Sequence, residues 1–221
     1  MTPGGIHTSI LRGAALLRKV DLLSDVRPRP DYKELVPAEV RHTPYPKLWE
    51  KCLQRGWYDL RLTDESFLQF RLGGDLSFSF YETPIRGESF EEFAARQFGD
   101  EWELVADDLR GEYETYLDSV PRDWPATPIR FDFSPLQYRS PGHPAGHIHF
   151  GYSSDVRVAT RRVLSPEAFI LFVIRQYYPV EWGQLIQEVG HGYISRKGRD
   201  SLELVADGHW CDTDACELHL T

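Results

Sequence analysis

Three runs in the first half of the chain alternate apolar and polar positions: WYDLRL at residues 57–62, FLQFRL at 67–72 and LSFSFYET at 76–83. Such alternation is the period of a strand with one covered face. Gly73, Gly74 and Asp75 between the last two runs have hairpin character, so those strands should be antiparallel neighbours. The inward set is then Tyr58, Leu60, Leu62, Leu68, Phe70, Leu72, Leu76, Phe78 and Phe80. Asp59, Arg61, Gln69, Arg71, Ser77, Ser79 and Tyr81 fall on the other face. IRFDFS at 129–134, HIHFGY at 147–152 and the valine-bearing stretch 155–163 continue the pattern. ELHL at 217–220 alternates once more and reads as a closing edge strand.

Helical periods separate these runs. Ser165, Pro166 and Glu167 form a helix start: a capping hydroxyl, a proline at the first helical position and a carboxylate at the positive end of the dipole. Phe169, Ile170, Leu171, Phe172, Val173 and Ile174 cover nearly every face of the helix begun there, so it is expected to be buried, with Pro179 ending or kinking it. Ile10, Leu11, Ala14, Leu17 and Val20 recur at helical spacing within residues 6–23, which predicts an amphipathic helix on the outside of the domain or against a partner. The stretch 27–46 carries five prolines and reads as a connector. Short helices are expected at 48–55, closed by Gly56, and at 89–98, 101–119 and 180–189. Gly190, Gly192 and Gly198 predict a mobile loop holding Arg196, Lys197 and Arg199.

Together these elements predict a single α+β domain over residues 1–221, with 1–47 as an N-terminal helix and proline-rich connector. Its sheet should be mostly antiparallel, with about five to seven strands and helices packed on one face.

Composition narrows the class. At 221 residues, with 41% hydrophobic and 13% aromatic side chains, the chain can build a real core. A formal charge of -9 argues against non-specific coating of nucleic acid, while leaving room for a local basic groove. Three cysteines, Cys52, Cys211 and Cys216, without a secretory leader pattern suggest a reduced, cytoplasmic setting. No run is long and apolar enough for a membrane span. Cys211 and Cys216, with His209 nearby, read as two ordinary buried thiols sooner than as a zinc site.

The chemistry gathers at residues 143–149, where His143, His147 and His149 fall within seven positions. As alternate strand residues, His147 and His149 share a face, with Ile148 and Phe150 turned toward the buried helix. That face also collects Arg130, Asp132 and Arg157, with Tyr138 at the approach. Histidines beside arginines and an aspartate can hold a phosphate or carboxylate and move protons around it. On this reading His147, His149 and Asp132 are the catalytic candidates, and Arg130, Arg157 and Tyr138 the substrate-binding ones. Alternatively His143, His147 and His149 converge on a divalent metal such as zinc or manganese, with Asp132 in support. A bland assignment also stands: His143 fixes its loop and His149 bonds a backbone carbonyl.

HPAGHIHFG, then an arginine-bearing strand, then LSPEAFILFVIRQYYP resembles an uncharacterised bacterial family, domain-of-unknown-function family 2290. The resemblance implies a bacterial, intracellular context and no catalytic assignment. Two functions are therefore expected from the residues alone. One is a His-centred hydrolase or nuclease acting on a phosphodiester or nucleotide. The other is a non-catalytic accessory subunit of a bacterial defence or toxin-neutralising complex, binding a protein partner through the N-terminal helix.

Overall fold

The structure, a computed structural model, describes residues 3–27, 42–152, 156–217 and 219–220. Most of the proline-rich connector and the first residue of the 155–163 stretch lie outside them.

Eight strands succeed one another across a single sheet in chain order. They are β1 (Leu23–Val26), β2 (Leu60–Leu62), β3 (Phe67–Leu72), β4 (Leu76–Tyr81), β5 (Ile129–Phe133), β6 (Gly146–Phe150), β7 (Val156–Thr160) and β8 (His219–Leu220). Every neighbouring pair is antiparallel except β7 with β8, which is parallel. The class is α+β, as the alternating runs imply. Gly73, Gly74 and Asp75 turn β3 into β4, pairing Leu72 with Leu76 and Arg71 with Ser77.

One face of the sheet is sealed by α1 (Pro3–Lys19) and by a long apolar helix that we call α5 (Pro166–Tyr177). Ser165 caps α5 by accepting a hydrogen bond from the Ala168 N–H at 3.2 Å. Phe169 meets Phe70 and Phe78 edge-on or tilted, and with Leu60, Leu68, Phe131 and Ile148 these rings form the main core. Pro179 separates α5 from α6 (Pro179–Val189), as expected of a residue that cannot continue a helix.

The N-terminal helix packs on the outside of the domain through one face, with Leu11, Arg12, Ala15, Arg18 and Lys19 left exposed on the other. Ile6, Ile10, Ala14, Leu16 and Leu17 are buried in the main core, and the Ser9 hydroxyl accepts the Glu167 N–H at 3.0 Å. Gly13 permits the crossing with α5: a Cβ there would stand 2.1 Å from Ile170 Cδ1. Of the expected apolar stripe, Ile10, Ala14, Leu17 and Val20 are buried and Leu11 stays 49% exposed.

The opposite face is only partly open. The short helix α2 (Tyr45–Arg55), closed by Gly56 in the left-handed conformation, packs Leu48, Trp49 and Cys52 against Phe67, Tyr58 and Ile85 as a second core. Tyr58 therefore lies opposite to its expected side, because residues 57–59 precede β2 and do not share its alternation. Its hydroxyl donates to Asp25, and the Asp59 carboxylate accepts from the Phe70 N–H. Two more expectations change. Residues 191–200 are helical, as α7 (His191–Ser195) and a π-helical turn (Arg196–Asp200), instead of an open loop. Cys211 is half-buried and Cys216 exposed, so neither is a core thiol.

Between β4 and β5 the chain inserts α3 (Phe90–Phe98), a 3₁₀ segment (Gly99–Val105) and α4 (Ala106–Ser119). Phe90, Phe93, Trp102, Tyr113 and Tyr116 pack on one another to hold this hairpin together. Residues 88–119 contain eleven of the 34 acidic and two of the 25 basic side chains, so they account for the whole charge of -9 and leave 23 of each sign elsewhere.

Candidate functional site

Antiparallel register builds the site. Arg71, Ser77, Asp132, His147 and Ala159 are successive partners across β3 to β7. The adjacent transverse row is Gln69, Ser79, Arg130, His149 and Arg157. Both rows lie on the face opposite α5, because their neighbours Phe78, Phe131 and Ile148 point into the main core. Within a row, directly opposed side chains have Cβ atoms about 4.5–5.5 Å apart.

Four side chains at the crossing of the rows form a continuous chain. Arg130 Nε donates to Asp132 Oδ2 at 2.7 Å. The same oxygen stands 3.2 Å from His149 Nε2. His149 Nε2 in turn lies 3.0 Å from His147 Nε2, and His147 Nδ1 reaches the Pro144 carbonyl at 2.9 Å. A carbonyl only accepts, so His147 carries its proton on Nδ1 when neutral, and its Nε2 presents a bare lone pair to His149. His149 Nδ1 has no partner among the described residues.

Burial sets the electrostatics. His147 and His149 are 2% and 4% exposed, so the face expected to be open to solvent is shielded at the imidazoles. The loop between β5 and β6 folds back to supply the Pro144 carbonyl and buries Ala145 completely. Toward Arg130 the site opens, with the Asp132 side chain 22% and the Arg130 side chain 37% exposed. Burial, then the neighbouring His149 charge, pushes the His147 imidazole down to about 4, against the Pro144 carbonyl and Asp132. Burial alone would raise the Asp132 carboxyl. The hydrogen bond from His149, the Arg130 guanidinium and a hydrogen bond from Ser77 outweigh it and hold the carboxyl well below the usual range.

Of the site residues expected from sequence, Asp132, His147, His149 and Arg130 are brought into contact, and Arg157 is the exposed register partner of His149. Tyr138 is elsewhere. Its hydroxyl donates to Asp214 at 2.7 Å and its ring stands edge-on to His209. His143 lies with its ring centroid 5.0 Å from that of His147, yet its backbone pairs with Arg139 and it stays outside the group of converging donors. That group is Asp132, His147 and His149, whose ligand atoms lie within 4.8 Å of one another. The bland assignment is half right: a histidine does bond a carbonyl, but it is His147. Ser77 carries no chemical signal of its own in the sequence: the Gly73 to Asp75 turn fixes its place opposite Arg71, and only the pairing of β4 with β5 brings it into the row of Asp132. His219, two strands beyond His147, packs on Trp210.

Among the described residues no helix is long and apolar enough to cross a membrane. No curated protein and no solved structure matches the chain. A family model described as an uncharacterized conserved protein, DUF2290, matches residues 30–219, a span that contains all eight strands but β1 and the final residue of β8. The chain therefore belongs to the DUF2290 family.

Proposed function

We propose that the protein hydrolyses a phosphate ester, with a nucleotide or a nucleic-acid phosphodiester as substrate. The observation that carries this reading is the continuous Arg130, Asp132, His149, His147 chain, in which a guanidinium at the solvent edge leads into a shielded cluster of lone pairs. Arg130 and Arg157 flank His149 in its row and would hold the anionic oxygens of the ester. Arginine suits that task because its planar fork meets phosphate with two hydrogen bonds at once.

Beyond the guanidinium, Asp132 and His149 would orient a water for attack, the carboxylate accepting its hydrogen bond. His147, kept neutral at physiological pH because burial disfavours its charged form, offers a bare nitrogen beside them that suits a ligand more than a proton acceptor. Burial of the imidazoles strengthens these interactions, because each charge sits in a lower dielectric. The chain's charge of -9 is not spread evenly. It resides in the β4 to β5 insertion, and the remainder is balanced. The alternative reading, an accessory subunit docked through its N-terminal helix, keeps a smaller cue, since most of that helix's apolar stripe packs against the main core and Leu11 is the stripe residue left exposed.

The test is turnover of bis(4-nitrophenyl) phosphate and of nucleotides by purified protein, with manganese or zinc supplied. His147→Ala should remove the activity while far-ultraviolet circular dichroism stays native. Arg130→Gln and Arg157→Gln should raise KM more than they lower kcat. Absence of turnover of all these esters by folded wild-type protein contradicts the reading.

A further inference from the structure

We propose that Asp132, His147 and His149 together hold one six-coordinate divalent cation. The donor set is two imidazoles and one carboxylate, the combination that suits first-row divalent metals. Its geometry is more specific than its composition. Two ligands at right angles, each about 2.1 Å from a common ion, stand roughly 3.0 Å apart, whereas a tetrahedral pair stands roughly 3.4 Å apart. The two imidazole nitrogens are 3.0 Å apart and His149 Nε2 is 3.2 Å from Asp132 Oδ2. The first separation matches the right-angle value and the second lies midway between the two, so the imidazole pair suits an octahedral ion more than tetrahedral zinc and the carboxylate fits either.

Proton bookkeeping points the same way. The Pro144 carbonyl takes the His147 proton on Nδ1, which turns the Nε2 lone pair inward and fixes the ring as metal ligands usually are fixed, by a hydrogen bond from the far nitrogen. His149 Nε2 faces that lone pair and a carboxylate oxygen at once. A single N–H cannot point well at both acceptors, and a cation placed among the three satisfies all of them. An octahedral ion with these ligands keeps three positions for water and substrate oxygen. When bound, it would supply a Lewis acid and lower the pKa of a coordinated water.

Arg130 separates this proposal from a generic one. Its Nε already occupies Asp132 Oδ2 at 2.7 Å, and it brings a positive charge beside the cation. The guanidinium therefore competes with the ion, and removing it should tighten binding. His143, although close in sequence and next to the His147 ring, should not matter.

The inference rests on the hydrolase reading only for the use made of the ion, and calorimetry with manganese(II) tests it independently of turnover. Wild-type protein stripped with chelator should take up one ion per chain. His149→Ala and Asp132→Asn should each weaken uptake by at least about ten-fold, His143→Ala by less than about two-fold, and Arg130→Gln should tighten it several-fold. Pulsed electron paramagnetic resonance of the wild-type manganese complex needs no variant, and should show two directly bound imidazole nitrogens. Folded wild-type protein that binds no manganese, or a His143→Ala variant as impaired as His149→Ala, overturns the site. Manganese uptake without ester hydrolysis sinks the hydrolase reading and leaves the site standing. Hydrolysis that persists in stripped protein unable to bind manganese does the reverse.

Discussion

His147 shows how much a single position can take from its surroundings. Alternation in HIHFG is enough to place it on one face with His149, and the hairpin turn at Gly73 to Asp75 is enough to align Arg71 with Ser77. Alternation says nothing about what covers a face, which is why the expected wet histidine surface proves to be 2% and 4% exposed. Nor does it say which strands lie side by side. Asp132 and Arg130 reach the histidines because β5 and β6 are neighbours in register, and Tyr138 misses them because the loop after β5 carries it toward Asp214. Burial has a consequence for stability. The unfolded chain binds a proton at an ordinary histidine near 6.5, whereas folded His147 does so only at about 4. Between those values the unfolded state holds more protons, so stability must fall as pH drops through that window. The effect should be on the order of 1–3 kcal/mol between pH 7 and pH 4.5. Asp132, whose carboxyl is held low, keeps its stabilising contribution across the same window and gives it up only at more acid pH. Urea unfolding in chelator at the two pH values measures this. His147→Gln should flatten the dependence while His143→Ala should not, and an unchanged slope in His147→Gln would disprove the assignment.

At the scale of elements, helix positions were more legible than helix destinations. The Ser165 start, the apolar run and the Pro179 break of α5 are all written locally, and they appear as expected. The stripe on α1 was equally plain, but a stripe shows only that a helix has something to bury. Its partner is found through Gly13, which lets the helix approach α5 until Ile170 Cδ1 occupies the place of a side chain. Opposing effects meet there. Alanine is favoured over glycine in a helix by about 1 kcal/mol. A Cβ 2.1 Å from a fully buried methyl forces repacking that typically costs about 1–3 kcal/mol. We expect the overlap to win, so Gly13→Ala should lower the melting temperature. Ile170→Val removes the offending methyl and should restore most of the loss when combined with it, although it is destabilising alone by about 1 kcal/mol. Additive effects in this double-mutant cycle would show that α1 does not cross α5 at this point. The strand β1 went unread because Leu23–Val26 is too short to show a period before the prolines begin.

Over the whole molecule, net charge and candidate chemistry fall in different segments of the chain. The acidic hairpin of residues 88–119 carries the net charge and its own aromatic packing, while the balanced remainder carries the shielded imidazoles and the arginines beside them. A chain-wide total of -9 therefore says little about the site, since an average cannot reveal that one insertion holds it all. The fold class came from the alternating runs. The second core under α2 did not, because Phe67 and Tyr58 break the pattern on which the inward set was drawn. The central claim is that β5 and β6 bring a carboxylate and two imidazoles to one working point. An anomalous difference map at the manganese edge, from crystals grown with manganese(II), tests it most directly. We expect one dominant peak about 2.0–2.3 Å from Nε2 of His147, Nε2 of His149 and a carboxylate oxygen of Asp132. A map without a peak there, with His149 turned away from His147 and Asp132, would contradict the account.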